Sequence, residues 1–95
     1  MQIIVETFRA PGEKSISPIR VRPLPKQGFD TSLRVECSRT MRHTFPIGQM
    51  FCIHVKLTSR LGSPNFLYSS YRDPWNPVTK SEAEAFIKKN FASKD

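Results

Sequence analysis

Cys37, His43, Cys52 and His54 are the chain's only thiols and imidazoles, and their spacing sets what metal or nucleophilic chemistry it can attempt. Five, eight and one residues separate neighbours in that series. Structural zinc sites draw their ligands as pairs about two to five residues apart within each half. No such pairing is present, so no metal is expected. Cys52 and His54 stand two apart, which on a strand puts both on one face with backbones about 7 Å apart. A working dyad would also need an acidic partner and oxyanion donors, and no surrounding motif supplies them. Asp30 and Glu36 form no paired-carboxylate arrangement. Gly12, Gly28, Gly48 and Gly62 are isolated, so neither a phosphate loop nor a dinucleotide turn can be built from them. The expectation is a binding domain, not an enzyme, without metal or cofactor.

The remaining chemistry is charge. The 95 residues carry a formal net charge of +7, with a sequence pI of about 9.9. Residues 1–19 are neutral in sum and residues 61–95 carry a surplus of one, whereas residues 20–60 carry a surplus of six. Six of the eight cations in that middle stretch are arginines, whose planar fork matches phosphate better than the point charge of lysine. A surface that tracks phosphates needs several cations on one face, often with aromatics on which bases can stack. The candidates are Arg20, Arg22, Arg39, Arg42 and Lys56 as phosphate contacts, with Tyr68 and Tyr71 as stackers. No RNP-type run, Gly-x-x-Gly clamp or finger spacing accompanies them. The competing expectation is a protein-protein module, a second copy of the chain included, that uses a sheet edge and the Asp73-Pro74-Trp75-Asn76-Pro77 segment. Trp75 serves there as an exposed anchor, or else plugs one end of the sheet.

The elements that must position these residues are marked by periodicity. From Met50 to Thr58, Phe51, Ile53, Val55 and Leu57 alternate with Met50, Cys52, His54, Lys56 and Thr58, which predicts a strand with the first set inward. Ile3–Phe8, Ile19–Arg22 and Leu33–Glu36 read as shorter strands, and Arg20 and Arg22 form the outward pair of the second. Pro23 and Pro25 place that strand at an edge or end it early. Ser38 caps a predicted short helix running toward Phe45, with Met41 and Phe45 on one side and Arg39, Arg42 and His43 away from it. Turn formers over residues 59–65 predict a hairpin to a returning strand at Phe66–Tyr71, followed by an irregular segment over residues 72–77. Ala10–Ser17 and Pro25–Thr31 read as loops. Thr79 and Glu82 form a capping box that opens a helix from about Lys80 to Phe91, with Ala83, Phe86, Ile87 and Phe91 as its apolar stripe and Ala92–Asp95 as a frayed tail.

Strands followed by helices, without regular alternation, exclude a doubly wound parallel sheet. The expected fold is α+β: a small curled antiparallel sheet or open barrel of about five strands, SH3-like or OB-like in style. It carries a short inserted helix and a capped C-terminal helix. Residues 1–95 are expected to form a single domain. No apolar run reaches the ~18 residues of a membrane span, and Met1–Glu6 lack the basic start and apolar length of a secretory leader. These features predict a cytoplasmic protein with both cysteines reduced and no membrane partner.

Overall fold

The computed structural model describes residues 1–9, 19–59, 61–62 and 64–91. The predicted Ala10–Ser17 loop and the Ala92–Asp95 tail lie outside them, as does Arg60. Within them run β1 (Gln2–Arg9), β2 (Ile19–Pro23), β3 (Val35–Glu36), α1 (Arg39–Thr44), β4 (Met50–His54), β5 (Lys56–Thr58), β6 (Phe66–Tyr68), β7 (Trp75–Val78) and α2 (Lys80–Phe91). The fold is α+β, as expected. The strands divide between two sheets, β2-β1-β4-β7 and β3-β6-β5, and close no barrel among the described residues.

One alternating run serves both sheets. β4 and β5 are the two halves of the predicted Met50–Thr58 strand, and the chain changes sheets at Val55, which stays buried. Val55 is not left unpaired at this corner, because its N–H donates to the Met1 carbonyl at 2.8 Å. Strands that switch sheets at a bend are a common way to build such corners. Leu57 departs from the expected inward set: it sits on the edge strand β5 and is 55% exposed. The hairpin forms as predicted, with Lys56 opposite Tyr68 and Thr58 opposite Phe66.

Two features depart from a single antiparallel sheet. β3 runs parallel to β6, with Val35 beside Leu67, because α1, β4 and β5 lie between them in the chain and form the crossover that a parallel pair needs. The segment expected to be irregular contributes β7, an edge strand paired with β4. Pro77 fits there for a definable reason. Ile4 turns its carbonyl toward Leu24 on the β2 side, so Ile3 and Val5 bond β4 through Ile53 and Phe51. By alternation Met50 and Cys52 then bond β7, and Pro77 faces the open edge, where a missing N–H costs the ladder nothing.

The central cluster joins both sheets and α1: Ile3, Val5, Val21, Val35, Met41, Phe51, Ile53, Val55 and Leu67. Phe45, Phe51 and Trp75 meet edge to face, with ring centroids 5.4, 5.8 and 6.0 Å apart. Each such pair contributes about 0.5–1.5 kcal/mol beyond the area it buries. Ile4 belongs to the opposite face of β1 yet is fully buried. Helix α2 lies against β1 and β4, burying Ala83. The α2 capping box is formed in full: Thr79 N donates to Glu82 Oε1 at 2.9 Å and Glu82 N donates to Thr79 Oγ1 at 3.1 Å.

The buried Gln27 closes a gap in the ladder. β2 ends at Pro23, so Ile4 N has no strand partner there; it donates instead to Gln27 Oε1 at 2.7 Å. Gln27 Nε2 donates in turn to the carbonyls of Ile4, at 2.8 Å, and Leu24, at 3.0 Å. The carboxamide thus stands in for a missing stretch of backbone. Lys26, just before it, takes a positive φ of 73° to bring Gln27 inward.

Candidate anion-binding cluster

Strand alternation puts Val21 in the central cluster and sends Arg20 and Arg22 to the other face of β2. Antiparallel pairing sets Arg20 opposite Phe8 and Arg22 opposite Glu6 on β1. Arg22 Nε donates to Glu6 Oε1 at 3.0 Å, and its guanidinium carbon lies 4.4 Å from the Phe8 ring centroid. Arg34 arrives from the segment that leads into β3, with its guanidinium carbon 4.9 Å from the same centroid. A turn delivers it: Asp30 Oδ1 accepts from Ser32 N at 2.8 Å, and Leu33 N donates to the Asp30 carbonyl at 3.1 Å. The backbone N–H of Ser32 holds the Asp30 carboxyl below its ordinary pKa.

Two arginines from separate stretches, Arg22 and Arg34, therefore meet at the Phe8 ring, Arg20 lies opposite Phe8 in the strand register, and Glu6 accepts from Arg22. Each guanidinium gains about 0.5–1 kcal/mol from the ring face at a partly exposed site. The two guanidinium carbons lie within about 9 Å of each other, the sum of their distances to the centroid. At that outer limit like charges repel by about 0.5 kcal/mol in water and about 2 kcal/mol at an effective dielectric of 20, and by more at any closer approach. Glu6 offsets the charge of Arg22, to which it is hydrogen-bonded. An anion placed between the two guanidiniums would relieve their mutual repulsion.

The other predicted residues are distributed elsewhere. Arg39 and Arg42 stand on α1, which packs against β2 through its core-facing side, where Met41 joins the cluster that contains Val21. The strand and helix cations thus leave β2 in opposite directions. Arg42 Nε is buried without a hydrogen-bond partner among the described residues. Lys56 and Tyr68 are cross-strand neighbours on the second sheet, both exposed. Tyr71 is 69% exposed and engages a cation of its own, since Arg72 Nε donates to its hydroxyl at 3.0 Å. Trp75 is half-buried in the aromatic triad.

Sequence reasoning missed Phe8 and Arg34 as site residues. The signal was present: in the predicted Leu33–Glu36 strand the apolar Leu33 and Val35 take the inward positions, and alternation sends Arg34 outward like Arg20 and Arg22. Among the described residues no three His, Cys, Asp or Glu side chains gather as a metal site. Cys37 and Cys52 are free thiols. Burial pushes Cys37 up to about 11 against the opposing pull of Arg42, and burial also raises Cys52, so neither thiol is poised as a thiolate.

No family model matches the chain, and no significant match is found among curated proteins or solved structures. No helix among the described residues is long and apolar enough to cross a membrane.

Proposed function

We propose that this chain is a small basic binding domain that holds a polyanion, most simply nucleic acid, through arginines of its central segment. The observation that carries the reading is the meeting of Arg22 and Arg34 at Phe8, with Arg20 opposite the same residue in the strand register. Arg39, Arg42 and Lys56 are further cations of that segment on other parts of the surface, and Tyr68 and Tyr71 remain the exposed rings on which a base could stack. In this reading the protein acts inside the cell, binds and does not catalyse. The SH3-like or OB-like curl expected of the strands enters only as a curved support for β1 and β2.

Fluorescence anisotropy with labelled single- and double-stranded oligonucleotides, titrated across salt, tests it. Affinity of about micromolar at ~50 mM salt is expected, with a steep salt slope. Arg22→Ala combined with Arg34→Ala should weaken binding about tenfold or more and flatten the slope by nearly two, the counterion release of two phosphate contacts. Absence of binding at ~50 mM salt overturns the reading.

A second reading, self-association through a sheet edge, is favoured by one observation. Leu67 N and Ser69 N bond the β3 side of β6, so Phe66 and Tyr68 bond β5, and Leu57 turns its N–H and C=O outward beside an exposed apolar side chain. Light scattering over a concentration series tests it, and a monomer up to ~1 mM abandons it.

A further inference from the structure

Glu6 is the carboxylate of the arginine cluster, and charge counting alone would hold it against anion binding. The geometry of its bond to Arg22 gives it a different role. Glu6 Oε1 accepts from Nε, the inner nitrogen, and among the described residues this is the only hydrogen bond of the Arg22 side chain. A guanidinium presents five N–H donors in one rigid plane. With Nε held by Glu6 and the Phe8 ring 4.4 Å away, the plane is fixed from two directions, and the four N–H bonds of the terminal nitrogens are left for a ligand. The Arg22 side chain is 42% exposed, so a ligand can reach that edge. Paired terminal N–H donors are the arrangement that grips two oxygens of one phosphate.

We infer that Glu6 is a positioning residue: it orients Arg22 so that the terminal edge of the guanidinium meets a phosphate group, which makes recognition at this cluster directional and not a diffuse attraction of charge. The inference rests on the polyanion reading above and goes further by naming the group bound and giving a negative charge a favourable part. Without Glu6, Arg22 would have to be immobilised on binding, a cost of about threefold to tenfold in affinity for one rotamer-rich side chain.

Two variants with the same net charge separate this role from simple competition. Glu6→Gln removes the charge and keeps an acceptor oxygen at the same reach; Glu6→Ala removes both. Binding to a labelled single-stranded oligonucleotide, with inorganic phosphate as competitor, is measured for each beside the unaltered chain. Glu6→Gln should bind at least as tightly as the unaltered protein, and Glu6→Ala should bind about threefold to tenfold more weakly. Arg22→Lys, which keeps the charge but loses the fork, should fall with Glu6→Ala. Urea melts of each variant confirm that the folded state is being compared. If Glu6→Ala binds as tightly as Glu6→Gln, the carboxylate is only a competitor and the inference fails while the polyanion reading stands. If Arg22→Ala leaves affinity unchanged, the cluster is not the binding site and both fail.

Discussion

The two ends of β1 meet the same problem, an edge strand that stops short or carries charge, and solve it in opposite ways. At Ile4 the neighbouring strand has ended, and the missing backbone partners are replaced by the buried carboxamide of Gln27, which makes three hydrogen bonds there. At Phe8 the strand partner is intact, but the neighbouring side chains are arginines: Arg22 and Arg34 share the ring, and Glu6 holds Arg22. The first end is closed on itself. The second is held together by contacts that leave donor capacity over. Stability should therefore concentrate at the Ile4 end and ligand affinity at the Phe8 end, four residues away along one strand.

The largest expected effect breaks the closed end. Gln27→Leu would leave Ile4 N and the Leu24 carbonyl without their amide partner in a buried place. Each unsatisfied buried group costs about 1–3 kcal/mol, so a loss of about 2–4 kcal/mol is expected in urea denaturation. Oligonucleotide affinity of the folded fraction should stay within about twofold of the unaltered chain if the two ends are independent, as sites without shared partners usually are. The reverse experiment uses Arg22→Ala with Arg34→Ala. It should cost stability no more than about 1 kcal/mol per partly exposed contact while removing most of the binding.

Next in size is a pH effect from the closed interior. Cys37 has an ordinary value of 9.0, which burial raises to about 11 in the folded chain. The unfolded thiol therefore ionises first, and the unfolded state is favoured increasingly as pH rises. The stabilisation is fully present below pH 9 and is lost between pH 9 and about 11, by roughly 2–3 kcal/mol. Tyrosines and lysines titrate in the same range, so the measurement is the difference in urea stability between the unaltered chain and Cys37→Ala at pH 8 and pH 11. That difference should shrink as pH rises. A difference independent of pH would mean that the thiol is not sealed from water.

How far these two ends could be read from sequence follows from which signals are local. The α2 capping box, the Met50–Thr58 alternation and the outward pair Arg20 and Arg22 are all set by spacing within a few residues, and each is present in the structure, the alternation as far as Val55. The change of sheet at Val55 leaves alternation undisturbed, so periodicity could not mark it. The parallel pairing of β3 with β6 depends on where a crossover returns, which no local pattern encodes. β7 was masked by Pro74 and Pro77, because proline argues against a strand unless its edge position is known. Gln27 gave no signal, since a polar residue in a Pro/Gly loop reads as exposed and Ile4, which it bonds twice, lies 23 residues away in the chain. Arg34 lay within reach of the pattern. The ring that it shares with Arg22 did not, because Phe8 joins them only through strand pairing and the turn at Asp30.

The smallest effect tests whether Lys26 belongs to the closed end alone. Its φ of 73° lies in the left-handed region, where a side chain with a Cβ costs about 1–2 kcal/mol. Glycine removes that strain but adds about 0.4–1 kcal/mol of freedom to the unfolded chain. Relief of strain outweighs the added freedom, so Lys26→Gly should stabilise the protein by about 0.5 kcal/mol, and Lys26→Val, branched at Cβ, should destabilise it by more than about 1 kcal/mol. Lys26 is exposed and stands at the Gln27 end, away from the Phe8 ring. If binding is directional at the arginine cluster, Lys26→Gly should lower oligonucleotide affinity by less than about twofold, the share of one diffuse charge. A loss as large as that from Arg22→Ala would mean that the two ends of β1 act as one continuous positive surface, and the contrast drawn between them would not hold.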